Sequence, residues 1–174
     1  MTYLEMLIDS LNRSRERFLR MLDGVTVEQA NAFPVAESSP QVKSLTWLTW
    51  HTARELDLQT ADLAGLDSVW KQQNFASRFD FQLEENEDGW NHSLEQAEKI
   101  TANDLDSLIA YLNAATDFAV SYLESLDEKS LDDIIDDSWT PAVTRGVRMV
   151  SIIDDAIMHS GQAIYARRLL GLKD

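Results

Sequence analysis

The sequence contains no cysteine. A disulfide, a cysteine-rich zinc site and a cysteine nucleophile are therefore excluded, and any thiol chemistry must draw its sulfur from outside the chain. Proline and glycine are scarce, 3 and 6 in 174 residues, so little stands in the way of long helices. Basic residues number 15 against 30 acidic ones, a formal net charge of -15. A surface that acidic repels phosphate backbones and anionic lipid, so neither nucleic acid nor membrane is an expected partner. No apolar run approaches the roughly 20 residues of a membrane span. The first segment, Met1 to Asp23, interleaves Glu5, Asp9, Arg13 and Glu16 with apolar residues. That pattern reads as an amphipathic helix and not a signal peptide, and it points to a cytoplasmic protein.

What is present is an ordinary globular balance, 44% hydrophobic and 26% charged residues, in a length suited to one domain over 1–174. Apolar positions recur at helical spacing in four long stretches. The first runs from about Thr2 to Leu22, with Leu4, Leu7, Leu11, Phe18 and Leu22 on one side, and Asp23-Gly24 ends it. The second runs from near Ser44 to Ala64, where Gly65 stops it. The third covers roughly Asn103 to Leu126, with Leu108, Leu112, Ala115, Ala119 and Tyr122 among its inward positions. The fourth follows Pro141 and spans about Thr144 to Leu170. Thr26 to Gln29 and Ser93 to Gln96 each have the spacing of a capping box and predict short helices. Between Asp67 and Asn91, Trp70, Phe75, Phe79, Phe81 and Trp90 stand among polar residues without a period. This predicts a long connection with one or two short turns. Asp127 to Trp139 reads as acidic and turn-rich. The sum is an all-α fold, a four-helix bundle with additional short helices and one long loop.

Chemistry concentrates on three side chains. The chain has only three histidines, His51, His92 and His159, and two of them fall inside long predicted helices. At about 100° per residue, His51 shares a mostly apolar face with Trp47, Leu48, Glu55 and Leu58, and so points into the bundle. On the fourth helix, Arg148, Ile152, Asp155, His159 and Gln162 form one stripe. Asp155 and His159 stack one turn apart and can grip one ion together. A carboxylate and an imidazole on one helix, with an imidazole from a facing helix, make a mononuclear metal set with open positions, suited to Zn²⁺ and also to Ni²⁺ or Fe²⁺. The spacing by itself is common, and a lone histidine on an apolar face is more often a packed core residue. Cost tips the balance: Asp155 on a largely apolar face is expensive to bury without a cation, which Arg148 or a metal would supply. Glu55, one turn after His51, is a rival ligand or a group that orients one.

The segment Leu45-Thr-Trp-Leu-Thr-Trp-His51, followed by Arg54 and Asp57, and the segment Asp154-Asp-Ala-Ile-Met-His-Ser-Gly-Gln162 resemble the DinB/YfiT-like superfamily. They are most similar to its actinobacterial members described as mycothiol transferases. The resemblance extends to Gly89-Trp-Asn-His92 and to Thr144-Arg-Gly-Val-Arg148. It implies a single DinB-like helical bundle with a metal between helices, held in many members by three histidines. Here Asp155 takes the middle place, as a glutamate does in the similar mycothiol-dependent maleylpyruvate isomerase branch. Aspartate is one methylene shorter.

The resemblance further implies a low-molecular-weight thiol, such as mycothiol or bacillithiol, as co-substrate and a small electrophilic molecule as acceptor. A cation favours the thiolate form. Arg145 and Arg148 would bind a carboxylate on either substrate, although surface pairing within an acidic protein accounts for Arg145 as well. His92 would serve as proton donor, fourth ligand or substrate contact, or is an ordinary loop histidine. Trp47, Trp50 and Trp70 would wall a cavity, although core packing explains Trp47 equally well. Relatives of this kind are often homodimers. Three readings stay open: a thiol-dependent transferase or isomerase, a metal-dependent hydrolase with Glu55 or His92 as base, and a non-enzymatic helical module with a polar core network.

Overall fold

The structure, a computed structural model, describes residues 1–84 and 86–173. Four long helices carry it: α1 (Tyr3–Leu22), α3 (Leu45–Ala64), α6 (Leu105–Glu124) and α7 (Arg145–Leu169). Around the bundle each packs on two others, in the cyclic order α1, α7, α3, α6. Short helices α2 (Val27–Asn31), α4 (Val69–Gln72) and α5 (Leu94–Glu98) decorate the connections.

Local chemistry accounts for most boundaries. Thr2 with Glu5, Thr26 with Gln29 and Ser93 with Gln96 form reciprocal capping boxes, each satisfying two backbone donors at a helix start. Ser44 and Thr144 accept from the third residues of α3 and α7. Gly65 ends α3 in the left-handed conformation at φ 64°. No helix among the described residues is long and apolar enough to cross a membrane. The all-α expectation holds, with one addition. From the acidic, turn-rich stretch Asp127 to Trp139, β1 (Ile134–Asp136) pairs antiparallel with β2 (Val143–Thr144), just ahead of α7. Strands this short show no alternation long enough to read in sequence.

Helix α3 is the unusual element. It is buried on nearly every side from Leu45 to Asp57, polar residues included. One side meets α6 and α7; much of the rest is covered by the long connection between α3 and α5. That connection is strapped down by its own backbone. Asp57, itself fully buried, accepts from the N–H groups of Val69 (2.6 Å) and Trp70 (2.9 Å) and from the Tyr111 hydroxyl (2.9 Å). Arg54 Nε donates to the Glu87 carbonyl at 2.9 Å. Gly89, at φ 86°, lies against the rings of Trp50 and Trp47; a Cβ there would come within 2.8 Å of Trp50. Only glycine suits both that backbone and that contact. Trp70 stacks on Phe75, Phe79 and Phe81, Trp70 and Phe75 meet Tyr111 at an angle, and Phe81 against Trp50 and Trp70 under Arg54 close the loop over α3.

Candidate metal centre

His51 leaves α3 toward α7 and is 1% exposed. Its Nδ1–H donates to the carbonyl of Asp88 in the strapped loop, which leaves Nε2 as the free acceptor. Its ring stacks on Trp47, with centroids 4.6 Å apart. On α7, His159 donates from Nδ1 to Gln162 Oε1 at 2.7 Å, and its Nε2 stands 3.4 Å from Asp155 Oδ1. The two imidazoles meet edge to face at 4.8 Å. One donor atom from each of His51, Asp155 and His159 lies within 4.8 Å of the others.

Two features match this set to a cation. Each imidazole uses its distal nitrogen on an oxygen acceptor, the arrangement that fixes the tautomer and orientation of metal-ligating histidines. Asp155 Oδ2, moreover, is buried without a hydrogen-bond partner among the described residues. A buried carboxylate oxygen left bare is costly, and a divalent cation shared with two imidazoles would remove the cost.

The electrostatics fit a site built for positive charge. Burial lowers the His51 pKa, against the pull of the Asp88 carbonyl and with help from His159. Burial alone would lower His159 too, but Asp155, Gln162 and Glu55 together outweigh it and raise the pKa. Without a metal, the proton thus belongs on His159 beside Asp155. Glu55 is buried one turn beyond His51 and accepts from Gln59 Nε2 at 2.6 Å. Burial, opposed by Gln59 and reinforced by the carboxylates of Asp88 and Asp155, raises it to about 7.

A pH dependence follows for the metal-free protein. Below the ordinary value of 4.5, Glu55 is protonated folded and unfolded alike, and its contribution to stability is fully present. As pH rises through about 7 that contribution is lost, because ionisation then occurs in a buried, carboxylate-rich place. Chelator-treated wild type should lose stability across this window, by at most about 1.4 kcal/mol per pH unit. Glu55→Gln should flatten the slope in denaturant titrations. Equal slopes would remove Glu55 as the cause.

The remaining predicted site residues lie around this centre at different removes. Arg148, half-buried two turns before Asp155, is 3.4 Å from Gln59 Oε1 and 3.9 Å from Asp136 Oδ2. Gln59 thus links Arg148 to Glu55, forming a polar line along the α3–α7 seam. His92 is one ring away: Trp47 Nε1 donates to its Nδ1 at 3.1 Å, it stacks on Trp50, and Glu87 stands 3.4 Å from its Nε2. Trp47 touches all three histidine rings. Arg145 is turned elsewhere, donating to the Tyr122 hydroxyl, to Ser130 O (3.1 Å) and to Asp133 (3.3 Å). Trp70 stands in the aromatic cluster of the loop with Arg54 over its ring, and none of its ring contacts is with the metal set. Asp154 is exposed. Sequence reasoning assigned no role to Asp88, Gln59 or Gln162. Gln162 had a usable signal, its place three residues after His159 on the same stripe; a backbone carbonyl such as that of Asp88 has none.

Residues 6–171 match the model of a family described as mycothiol-S-transferase. A crystal structure described as a conserved protein from Enterococcus faecalis is 44% identical to this chain. It superposes with a TM-score of 0.90 over 98% of each chain. No curated protein matches.

Proposed function

We propose, for a chain that belongs to the mycothiol-S-transferase family, that it is a divalent-metal-dependent enzyme. It activates a low-molecular-weight thiol, such as mycothiol, for transfer to a small electrophile or for its isomerisation. The observation that carries this reading is the convergence of His51, Asp155 and His159 within 4.8 Å, with one Asp155 oxygen bare, in a chain without cysteine. Such a donor set with open positions suits Zn²⁺, with Ni²⁺ or Fe²⁺ as alternatives.

When bound, the cation would favour the thiolate of an incoming thiol at neutral pH. The protein's own residues supply the rest. Asp88 and Gln162 hold the two imidazoles in the tautomer that leaves Nε2 free. Glu55, poised near neutrality, takes the thiol proton on its carboxylate. The thiol sulfur then forms a bond to the electrophilic carbon, and the leaving group departs with its electron pair. Arg148 is placed to hold a carboxylate of either substrate, since its present contacts are long. A cytoplasmic setting, where small thiols stay reduced, fits this chemistry.

The test is thioether formation from mycothiol and a chromogenic aryl halide by the zinc-loaded protein, with bacillithiol run in parallel. Turnover lost on chelation and restored by zinc supports the proposal. Turnover indifferent to chelation sinks it, as does ester hydrolysis by the zinc protein with no thiol present.

A further inference from the structure

Beside Gln162, the acceptor of the His159 ring, lies a cavity of about 420 Å³. Val42 and Lys43 line it from the segment before α3, Leu48 from near the start of α3, and Gly161, Gln162 and Tyr165 from α7. This volume is in the range of small-molecule sites. Three features of the lining have no structural account so far.

The first is Gly161. It sits well inside the 25-residue α7 with no unusual backbone angle, and a Cβ added there would meet nothing within 4 Å. Neither close packing nor a turn calls for glycine, and glycine destabilises a helix interior relative to alanine. What its missing side chain does is leave the cavity wall open.

The second is Lys43. Its ammonium is 3.4 Å from the Pro40 carbonyl and 3.5 Å from the His92 carbonyl, and 5.8 Å from the Trp47 ring centre. Arg145 and Arg148 each have a carboxylate partner, but Lys43 has none among the described residues, in a chain with 30 acidic residues. A half-buried cation held by long contacts to two carbonyls and by one aromatic face has no full negative charge beside it.

The third is the adjoining start of α3. Lys43 directly precedes its cap Ser44, and the first turn carries no acidic residue to pair with the ammonium. Lys43 and the helix end favour the same sign of ligand, while Val42, Leu48 and the Gly161 wall favour an apolar one.

We propose that this cavity binds a small molecule with an apolar body and a carboxylate or similar anionic group, the anion toward Lys43 and the body against Gly161. The pocket is separate from the metal ligands but joined to them by Gln162, which both lines it and accepts from His159. It stands whether or not the metal centre performs thiol transfer.

Octanoate and uncharged 1-octanol are suitable probes, titrated by calorimetry and by backbone amide NMR on the full chain. Wild type should bind one octanoate, with shifts at Gly161 and Gln162. Lys43→Met should weaken octanoate about tenfold and octanol less than about twofold. Gly161→Leu should weaken both by about tenfold or more, and Gly161→Ala should weaken them less while raising the melting temperature. Thermal melts show that each variant is folded. The proposal is overturned if octanoate fails to bind wild type at about 10 mM, or if Gly161→Ala and Gly161→Leu bind like wild type. It is overturned equally if Lys43→Met weakens both probes alike, or if sedimentation shows octanoate dissociating a dimer, which would make the space a seam between two copies of the chain.

Discussion

Replacing His159 by alanine should lower zinc affinity about a thousandfold, and Gln162→Ala should lower it about ten- to hundredfold. A zinc site built from a few side chains is worth about 10–16 kcal/mol, so losing one of three donors removes several kcal/mol. Gln162 touches no metal in this scheme. It accepts the Nδ1–H of His159 at 2.7 Å and so decides which nitrogen faces the ion and in what direction. Losing such an orienting partner is the smaller effect. The graded order is the informative part, measured by competition with a chromogenic zinc chelator. Equal affinity in wild type and His159→Ala would falsify the metal centre. A Gln162→Ala effect as large as that of His159→Ala would mean that Gln162 is itself a donor.

Asp57→Ala should destabilise the folded protein by about 3–5 kcal/mol while leaving His51, Asp155 and His159 in the chain. The carboxylate is fully buried and serves Val69 N, Trp70 N and Tyr111 Oη, with Arg54 Nη1 at 4.0 Å. Burial raises its pKa in spite of these donors, so the ionised group is no net source of stability in its own right. The cost of removal comes from what is left behind. Two backbone N–H groups and a phenol lose their acceptor inside the protein, each worth about 1–3 kcal/mol, and a buried guanidinium loses a nearby negative charge. Chemical denaturation measures the loss. A change under about 1 kcal/mol would mean that water reaches these donors and that the loop is not anchored at this point. Because the loop also presents the Asp88 carbonyl to His51, the variant should weaken zinc binding as a secondary effect.

Much of this molecule is legible in one dimension. Helical phase alone puts His51 on an inward face and stacks Asp155 over His159, since both follow from about 3.6 residues per turn. Capping side chains mark starts to within a residue or two, because an N-cap acts only on the turn beside it. The predicted third helix, Asn103 to Leu126, is observed as Leu105–Glu124. What phase does not reach is the partner of each inward face. That α3 meets α7, and not α1, at His51 is a property of the whole bundle.

Some features carry no local mark at all. Gln59 between Glu55 and Arg148 is an ordinary glutamine in sequence. For Trp70 and Arg145 residue type left two readings each, wall or packing and anion clamp or ion pairing; the structure puts Trp70 in the loop's aromatic cluster and Arg145 against Tyr122, Ser130 and Asp133. The paired strands beside Arg145 are too short to show alternation. The composition and period of the sequence by themselves determined an all-α bundle, the exclusion of an internal thiol, and the helical faces bearing the two imidazoles and the carboxylate. Tertiary structure alone decided that these three meet, that Asp88 and Gln162 orient the two imidazoles, and that a cavity opens beside Gln162. Facing, orientation and empty space arise from contacts between residues far apart in the chain, and no short window of sequence holds both sides of such a contact.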